Sequence, residues 1–421
     1  MSLHRRIPLG GCDRYLLALE DLMVRSGQGR HVGVTVLRLG PGFSLSKLRN
    51  AVSRFAASQP LLGAYLSRGL PGSVPKWVLG SPSHVEVKQH PQDADWHPIA
   101  RELLQGSWSG FMRFDVVPVG DGGALVLMSW SHLVLDARGI ELALTELQRL
   151  AAHPDETPER DSWALPPIAA KGLRQKVKAV QPFLDRYWQL RESRVLSLAA
   201  PPSQPSEMMF EVLHFSPEQT QEMKKRAEHV TAGIFALPWF LAATMRAHAE
   251  VLRSRNQKDG SLECTISVQT RKRGSRGPIF QNQVSQLFFA LRLDQLESLE
   301  GSARQLHGQF AEMTRNKCDS AFLVMIDWMR RMPSTLYRRF LKREASGQIA
   351  SFYHAHTGEF LPGVREFCGG EIADGWHVPS VPQPPGTGLF FSERAGRLSA
   401  SLCWRSGVLS EAEQGLMQRS I

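Results

Sequence analysis

The groups best placed to move a proton lie together in Ser131-His132-Leu133-Val134-Leu135-Asp136-Ala137-Arg138-Gly139. The run before them, Ala124 to Trp130, is continuously apolar, and after them Ile140, Leu144, Leu147 and Leu150 recur at helical spacing. The segment therefore joins a strand covered on both faces to an amphipathic helix. Catalytic groups concentrate at such junctions, because the sheet fixes the backbone while the loop stays open to a cleft. An imidazole with a pKa of about 6.5 both takes and returns a proton near neutrality, so His132 has the chemistry of a general base. Asp136 would then fix the loop through an ion pair. The plainer alternative is a satisfied core histidine, with Asp136 simply the N-cap of the next helix.

A second polar cluster is Ser351-Phe352-Tyr353-His354-Ala355-His356-Thr357-Gly358. Here the hydroxyl of Ser351 or Thr357 would donate to a tetrahedral oxyanion, as a preorganised donor should. The alternative is a strand end carrying ordinary surface histidines. His354 and His356 lack a third ligand at metal-site spacing, so no metal is expected. The five cysteines, Cys12, Cys264, Cys318, Cys368 and Cys403, are scattered and odd in number. That pattern fits neither a disulfide framework nor a zinc site, and it suits a reducing, cytoplasmic compartment. There is no Gly-rich phosphate loop, Gly-x-Ser-x-Gly elbow or Cys/His dyad to suggest another enzyme class.

The elements that must position these residues alternate between strands and helices. Val32 to Leu39 has valines at alternate positions, which predicts a strand with one buried face. After Pro41-Gly42, a helix capped by Ser44 or Ser46 places Leu48, Val52 and Phe55 on one side before Gln59-Pro60 stops it. Further strands are predicted around 76–79, 85–87 and 112–117. Between His153 and Pro167 the chain turns rich in Pro, Asp and Glu, which marks a boundary. A helical connector, 171–194, and the Pro-rich 201–205 complete the link. Beyond it, Phe210 to Phe215, Cys264 to Gln269 and Val284 to Leu293 read as strands. Ser216-Pro217-Glu218-Gln219 combines an N-cap, an N1 proline and a capping-box Gln. A hairpin over 389–404 turns at Ala395-Gly396 and leads to a last helix capped by Ser410. The expected domains are residues 1–165, a connector over 166–207, and residues 208–421. Val378 to Gly386 reads as a rigid crossing between elements.

At 421 residues, with 42% hydrophobic and 21% charged, the chain has the composition of a folded protein of two lobes. The basic start of the chain lacks the apolar stretch of a signal peptide, and the apolar run 232–245 is shorter than the roughly 20 residues of a membrane span. A net charge of +10 favours an anionic partner: nucleic acid, anionic lipid, coenzyme A or an acidic carrier protein. Lys and Arg are spread out, and the clusters Arg271-Lys272-Arg273 and Arg338-Arg339 are short, so nucleic acid is not expected.

His132 with Asp136, taken with the rest of the chain, resembles the chloramphenicol acetyltransferase-like superfamily of HxxxD acyltransferases. Within it the similarity is to wax ester synthase/diacylglycerol acyltransferases and to condensation domains. Pro8 to Asp13, Leu17 to Glu20 and His31-Val32-Gly33 are similar to the opening of the wax ester synthase group. Phe43 to Leu66 resembles the helix and strand common to these families. Ile266 to Arg271 resembles the strand ending in arginine, and Asn282 to Ser285 the approach to the next strand. Many relatives carry a second His before the catalytic one and Gly after the Asp; here Ser131 and Ala137 stand there, with Gly139 two residues on.

The resemblance implies an α/β fold of two chloramphenicol acetyltransferase-like sandwich lobes, a pseudodimer around a central channel. It implies transfer of an acyl group from a coenzyme A or acyl carrier protein thioester to a hydroxyl or amine, with no cofactor. His132 would be the base. Asp136, pairing with Arg271, and Gly139 would support the loop, while Ser131, Asn282, Ser351 and Thr357 are candidates to line the channel or hold the oxyanion. Contact with a membrane surface is also compatible with the charge. The rival reading is a degenerate member that binds a carrier protein or lipid without catalysis.

Overall fold

The computed structural model describes all residues except 1–4, 71, 81–82, 160–171, 200–204, 232–235, 273 and 342–349. Much of the boundary over 153–167 and of the Pro-rich 201–205, and the first part of the apolar run 232–245, therefore lie outside the described residues, as does Arg273.

Val32–Leu39 and Ala124–Ser131 pair antiparallel at the middle of a six-stranded sheet. Its order is Glu366–Phe367, Gly370–Pro379, Val32–Leu39, Ala124–Ser131, Met112–Pro118 and Glu86–Gln89, with only the last pair parallel. The expectation of one buried face on Val32–Leu39 is corrected, since every residue but Arg38 is buried. Leu37 and Leu39 pack into the core that holds the helices Leu45–Ser58 and Ala137–Ala152, while Val32, Val34 and Val36 pack toward the helix Trp96–Leu104. Gly33 and Thr35 make one face look polar in sequence, yet the Trp130 ring fills it. A Cβ on Gly33 would come within 2.3 Å of that ring, and the Trp130 indole N–H donates to Thr35 Oγ1.

The second lobe centres on a sheet ordered Tyr353–Glu359, Thr387–Arg394, Arg397–Arg405 and Met208–His214. The helices Leu237–Ser254 and Leu299–Arg315 close its core. Residues 366–379 fall after position 208, where sequence order places the second lobe, but Gly370–Pro379 pairs with Val32–Leu39 in the first sheet. The chain then crosses back through the Pro-rich segment before Thr387. This exchange interlocks the lobes, and Met208, Cys403 and Phe210 share an apolar cluster with Val34 and Trp376.

A separate antiparallel pair, Ser261–Gln269 with Val284–Arg292, has a connecting segment, 270–283, that reaches the loop after Ser131. The connector helix Leu173–Arg191 lies against Cys318–Met329, with Val180 near Val324 and Phe183 near Phe322. Predicted caps form with the expected geometry. Ser44 Oγ accepts from Lys47 N, and Ser216 and Gln219 exchange side-chain and main-chain hydrogen bonds. Ser410 and Glu413 close a capping box. Leu237–Ser254 is a largely buried helix, and no described helix is long and apolar enough to cross a membrane.

Candidate active site

Where the two lobes meet there is a cavity of about 140 Å³. His31, His132, Cys12 and Tyr15 line it from the first lobe, and Thr265, Ser267, Gln286 and Tyr353 from the second. The crossing segment contributes Pro379 and Ser380. His132 enters because Ala124–Ser131 ends there and its main-chain N–H donates to the carbonyl of His31. The His31 and His132 rings stack, with centroids 4.6 Å apart and planes 22° from parallel. Trp130 meets His132 edge-on, 5.1 Å away. The buried His132 Nδ1 has no hydrogen-bond partner on any other residue.

Burial lowers the His132 pKa below 6.5; its own carbonyl, Asp136 and Asn282 pull it back up without cancelling that effect. A base needs its deprotonated form, so a lowered pKa extends its working range toward acid. Were His132 the base of a reaction, the acid limb of kcat/KM would be expected below pH 6.5, measured as a pH–rate profile on a turned-over substrate. A limb above that value would contradict the burial argument.

The loop is gripped from the second lobe. Arg271 sits at the end of the 261–269 strand, and its guanidinium lies 2.8 and 2.6 Å from the two carboxylate oxygens of Asp136. Both side chains are buried. Arg271 also donates to the carbonyls of Pro278 and Gln281. Asp136 accepts from Gly139 N at 2.8 Å, capping the following helix, and from Gln283 N at 2.9 Å. The two readings of Asp136 from sequence thus describe one residue: it caps the helix and it pairs with the arginine. Gly139 is needed for space, since a Cβ there would lie 2.5 Å from the carbonyl oxygen of Ile279.

Asn282 does not line the cavity. Its side-chain amide donates to the carbonyl of His132 at 3.0 Å and to Asp13 at 3.1 Å, which makes it a brace under the loop. Asp13, buried on the helix Gly11–Arg25, also accepts from Gly10 N and Asn282 N. Burial raises its pKa to about 6 against those donors. Ser131 is likewise out of the cavity, with its buried hydroxyl accepting from Leu133 N.

Ser351 and Thr357, the hydroxyls read from sequence as oxyanion donors, lie away from this cavity. Ser351 Oγ accepts from the main-chain N of Glu263, and Thr357 Oγ1 donates to the carbonyl of Phe391; neither lines the cavity. The hydroxyls that do face it include Thr265 and Ser267, alternate residues on the strand leading to Arg271. Cys12 lines the cavity too, but burial pushes its thiol up to about 12 and Sγ donates to the carbonyl of Val284, so it stays a thiol rather than a nucleophilic thiolate. All five cysteines are free and buried. Among the described residues no group of three His, Cys, Asp or Glu side chains is placed to hold a metal. A narrower chamber of about 70 Å³ shares Tyr15, Thr265, Gln286 and Phe322 with the cavity and continues between Phe183, Phe288 and Phe340.

No protein-family profile and no curated protein matches the sequence. Solved structures do match in shape. The chain is similar to the trichothecene 15-O-acetyltransferase of Fusarium sporotrichioides, with a TM-score of 0.72 and 12% identity over 99% of this chain and 94% of that one. It is similar to the first condensation domain of the CDA synthetase, with a TM-score of 0.69 and 13% identity over 99% and 94% of the two chains. Polyketide synthase associated protein 5 of Mycobacterium tuberculosis gives a TM-score of 0.64 at 13% identity over 98% and 96%. The chain therefore has the two-lobed α/β fold of these acetyltransferase and condensation-domain structures, over 99% of its length.

Proposed function

We propose that this chain is an acyltransferase that moves an acyl group from a coenzyme A or carrier-protein thioester to a hydroxyl or amine, with His132 as general base and no cofactor. The observation that carries the reading is the placement of His132: its ring is held by Trp130 and His31 in a cavity between lobes, on a loop latched by a buried ion pair. That arrangement holds the ring in one place at the cavity wall. Nδ1 is buried, so Nε2 is the nitrogen we assign to the substrate.

His132 Nε2 would take the proton of the acceptor O–H or N–H as the oxygen or nitrogen attacks the thioester carbonyl. A C–O or C–N bond forms, the C–S bond breaks, and the thiolate leaves with the proton carried by the imidazolium. Thr265 and Ser267, which line the cavity where Ser351 and Thr357 do not, would donate to the tetrahedral oxyanion. Asp136 and Arg271 keep the loop in shape and take no part in proton transfer, since both are saturated by one another and by main-chain groups.

The direct test is to incubate the protein with a panel of acyl-coenzyme A and acyl carrier protein donors and hydroxyl or amine acceptors, following free thiol and product mass. Acceptor-dependent thiol release supports the reading. Thioester binding with no transfer to any acceptor would instead make the chain a binding protein for carrier or lipid.

The net charge of +10 leads to a further expectation. Coenzyme A phosphates and acidic carrier proteins are both anionic, and the field of a basic protein steers them in. Exposed charges are screened over about 8 Å at physiological ionic strength. Raising salt should therefore raise KM for the donor, through slower association, and leave kcat nearly unchanged; a neutral acceptor should show no such dependence. A donor KM that ignores salt would refute the steering argument, leaving the charge to other surfaces such as anionic membranes.

A further inference from the structure

The second histidine that many HxxxD relatives carry beside the catalytic one is Ser131 in this chain, yet a second imidazole does reach the site. Val32 pairs with Ser131 across the sheet, so His31 and His132 are the next residues opposite each other, on the face that also carries Trp130. Their rings stack at 4.6 Å and both line the cavity. His31 is tied down on both sides of its backbone: its N–H donates to the Glu20 carboxylate at 3.1 Å and its carbonyl accepts from His132 N.

We propose that His31 is a positioning residue for the base: its neutral ring fixes the plane of His132 and stabilises, through its π face, the imidazolium that forms when His132 takes the acceptor's proton. This rests on the acyl-transfer reading. The π face of an aromatic ring attracts a cation stacked on it, and more so when water is excluded. Two imidazolium ions at this separation repel, so the pair takes up one proton between them. His31 is the ring kept neutral, by its burial, by the neighbouring His132 and by the Arg405 guanidinium from the second sheet. The other ionisable groups around the pair are Glu20, Cys12 and Tyr15 from the first helix, Asp136 on the loop, and Tyr353 and His354 across the cavity.

The test compares His31→Phe, which keeps a ring face, with His31→Leu, which fills similar space without one. Folding of both is checked by thermal melting, and the His132 ring is titrated by NMR in the free protein. His31→Phe should stay within a few-fold of wild type. His31→Leu should lower kcat by about 2- to 30-fold with KM little changed. Losing the ring face lowers the proton affinity of His132, so its titration and the acid limb of the rate profile should both move to lower pH. Should His31→Leu leave kcat and the His132 titration where they were, or move the titration upward, the proposal is wrong. If neither variant folds, His31→Gln, polar and without an aromatic face, takes the place of the leucine variant with the same expected losses. A protein that transfers no acyl group, but whose His132 titration still falls in His31→Leu, would defeat the proposed reaction and leave the stacking effect standing.

Discussion

Arg271→Ala and Asp136→Ala are each expected to lower stability by about 3 to 5 kcal/mol, because each leaves the other charge buried without its partner. The side chains are 2% and 3% exposed, so solvent cannot replace what is lost. Asp136→Ala removes more than a charge, since it also strands Gly139 N at the helix start and Gln283 N in the bridging segment. Arg271→Ala strands the carboxylate and frees the carbonyls of Pro278 and Gln281. The residues share one network, so the double variant should cost clearly less than the sum of the singles. Asp136→Asn should fall between, because asparagine caps a helix about as well as aspartate but cannot neutralise the guanidinium. Urea denaturation of the four variants measures this, and single variants within about 1 kcal/mol of wild type would show that the latch is not structural.

How far the sequence discloses this site depends on whether the contact is local. The strand, loop and helix around His132 follow one another directly, so residue spacing alone places the histidine at the strand end and Asp136 at the cap. The ion pair spans 135 positions, and only resemblance to known relatives suggests it. His31 is harder still. Its place opposite His132 follows from strand register, which depends on which strands become neighbours and is not written in the composition of either. Ser351 and Thr357 have suitable hydroxyls, but each is bonded to a main-chain group of a neighbouring strand and lies away from the cavity. Thr265 and Ser267 lie on a strand that reads only as the approach to Arg271, although their alternation puts both on one face. Residues 366–379 read as part of the second lobe because they follow it in the chain. Tertiary pairing sends them to the first sheet instead, and that exchange carries Pro379 and Ser380 to the cavity.

His132→Ala should abolish acyl transfer, by about 100- to 10,000-fold, while the fold persists. Two hydrogen bonds that hold the loop here are made by its main chain, with His132 N donating to the carbonyl of His31 and the His132 carbonyl accepting from Asn282; neither depends on the ring, and the alanine variant loses the ring packing on His31 and Trp130. The latch through Asp136 is likewise untouched. What disappears is the proposed base, so the loss should fall on kcat rather than on donor binding. The measurement that bears most directly on direct, base-catalysed transfer is rapid-mixing thiol release from a thioester donor, with and without acceptor, for wild type and His132→Ala, together with the intact mass of the protein. Wild type should release thiol only when acceptor is present, at unchanged protein mass, and His132→Ala should release almost none. A burst of thiol without acceptor, with the protein gaining the mass of the acyl group, or undiminished release by His132→Ala, would contradict the account.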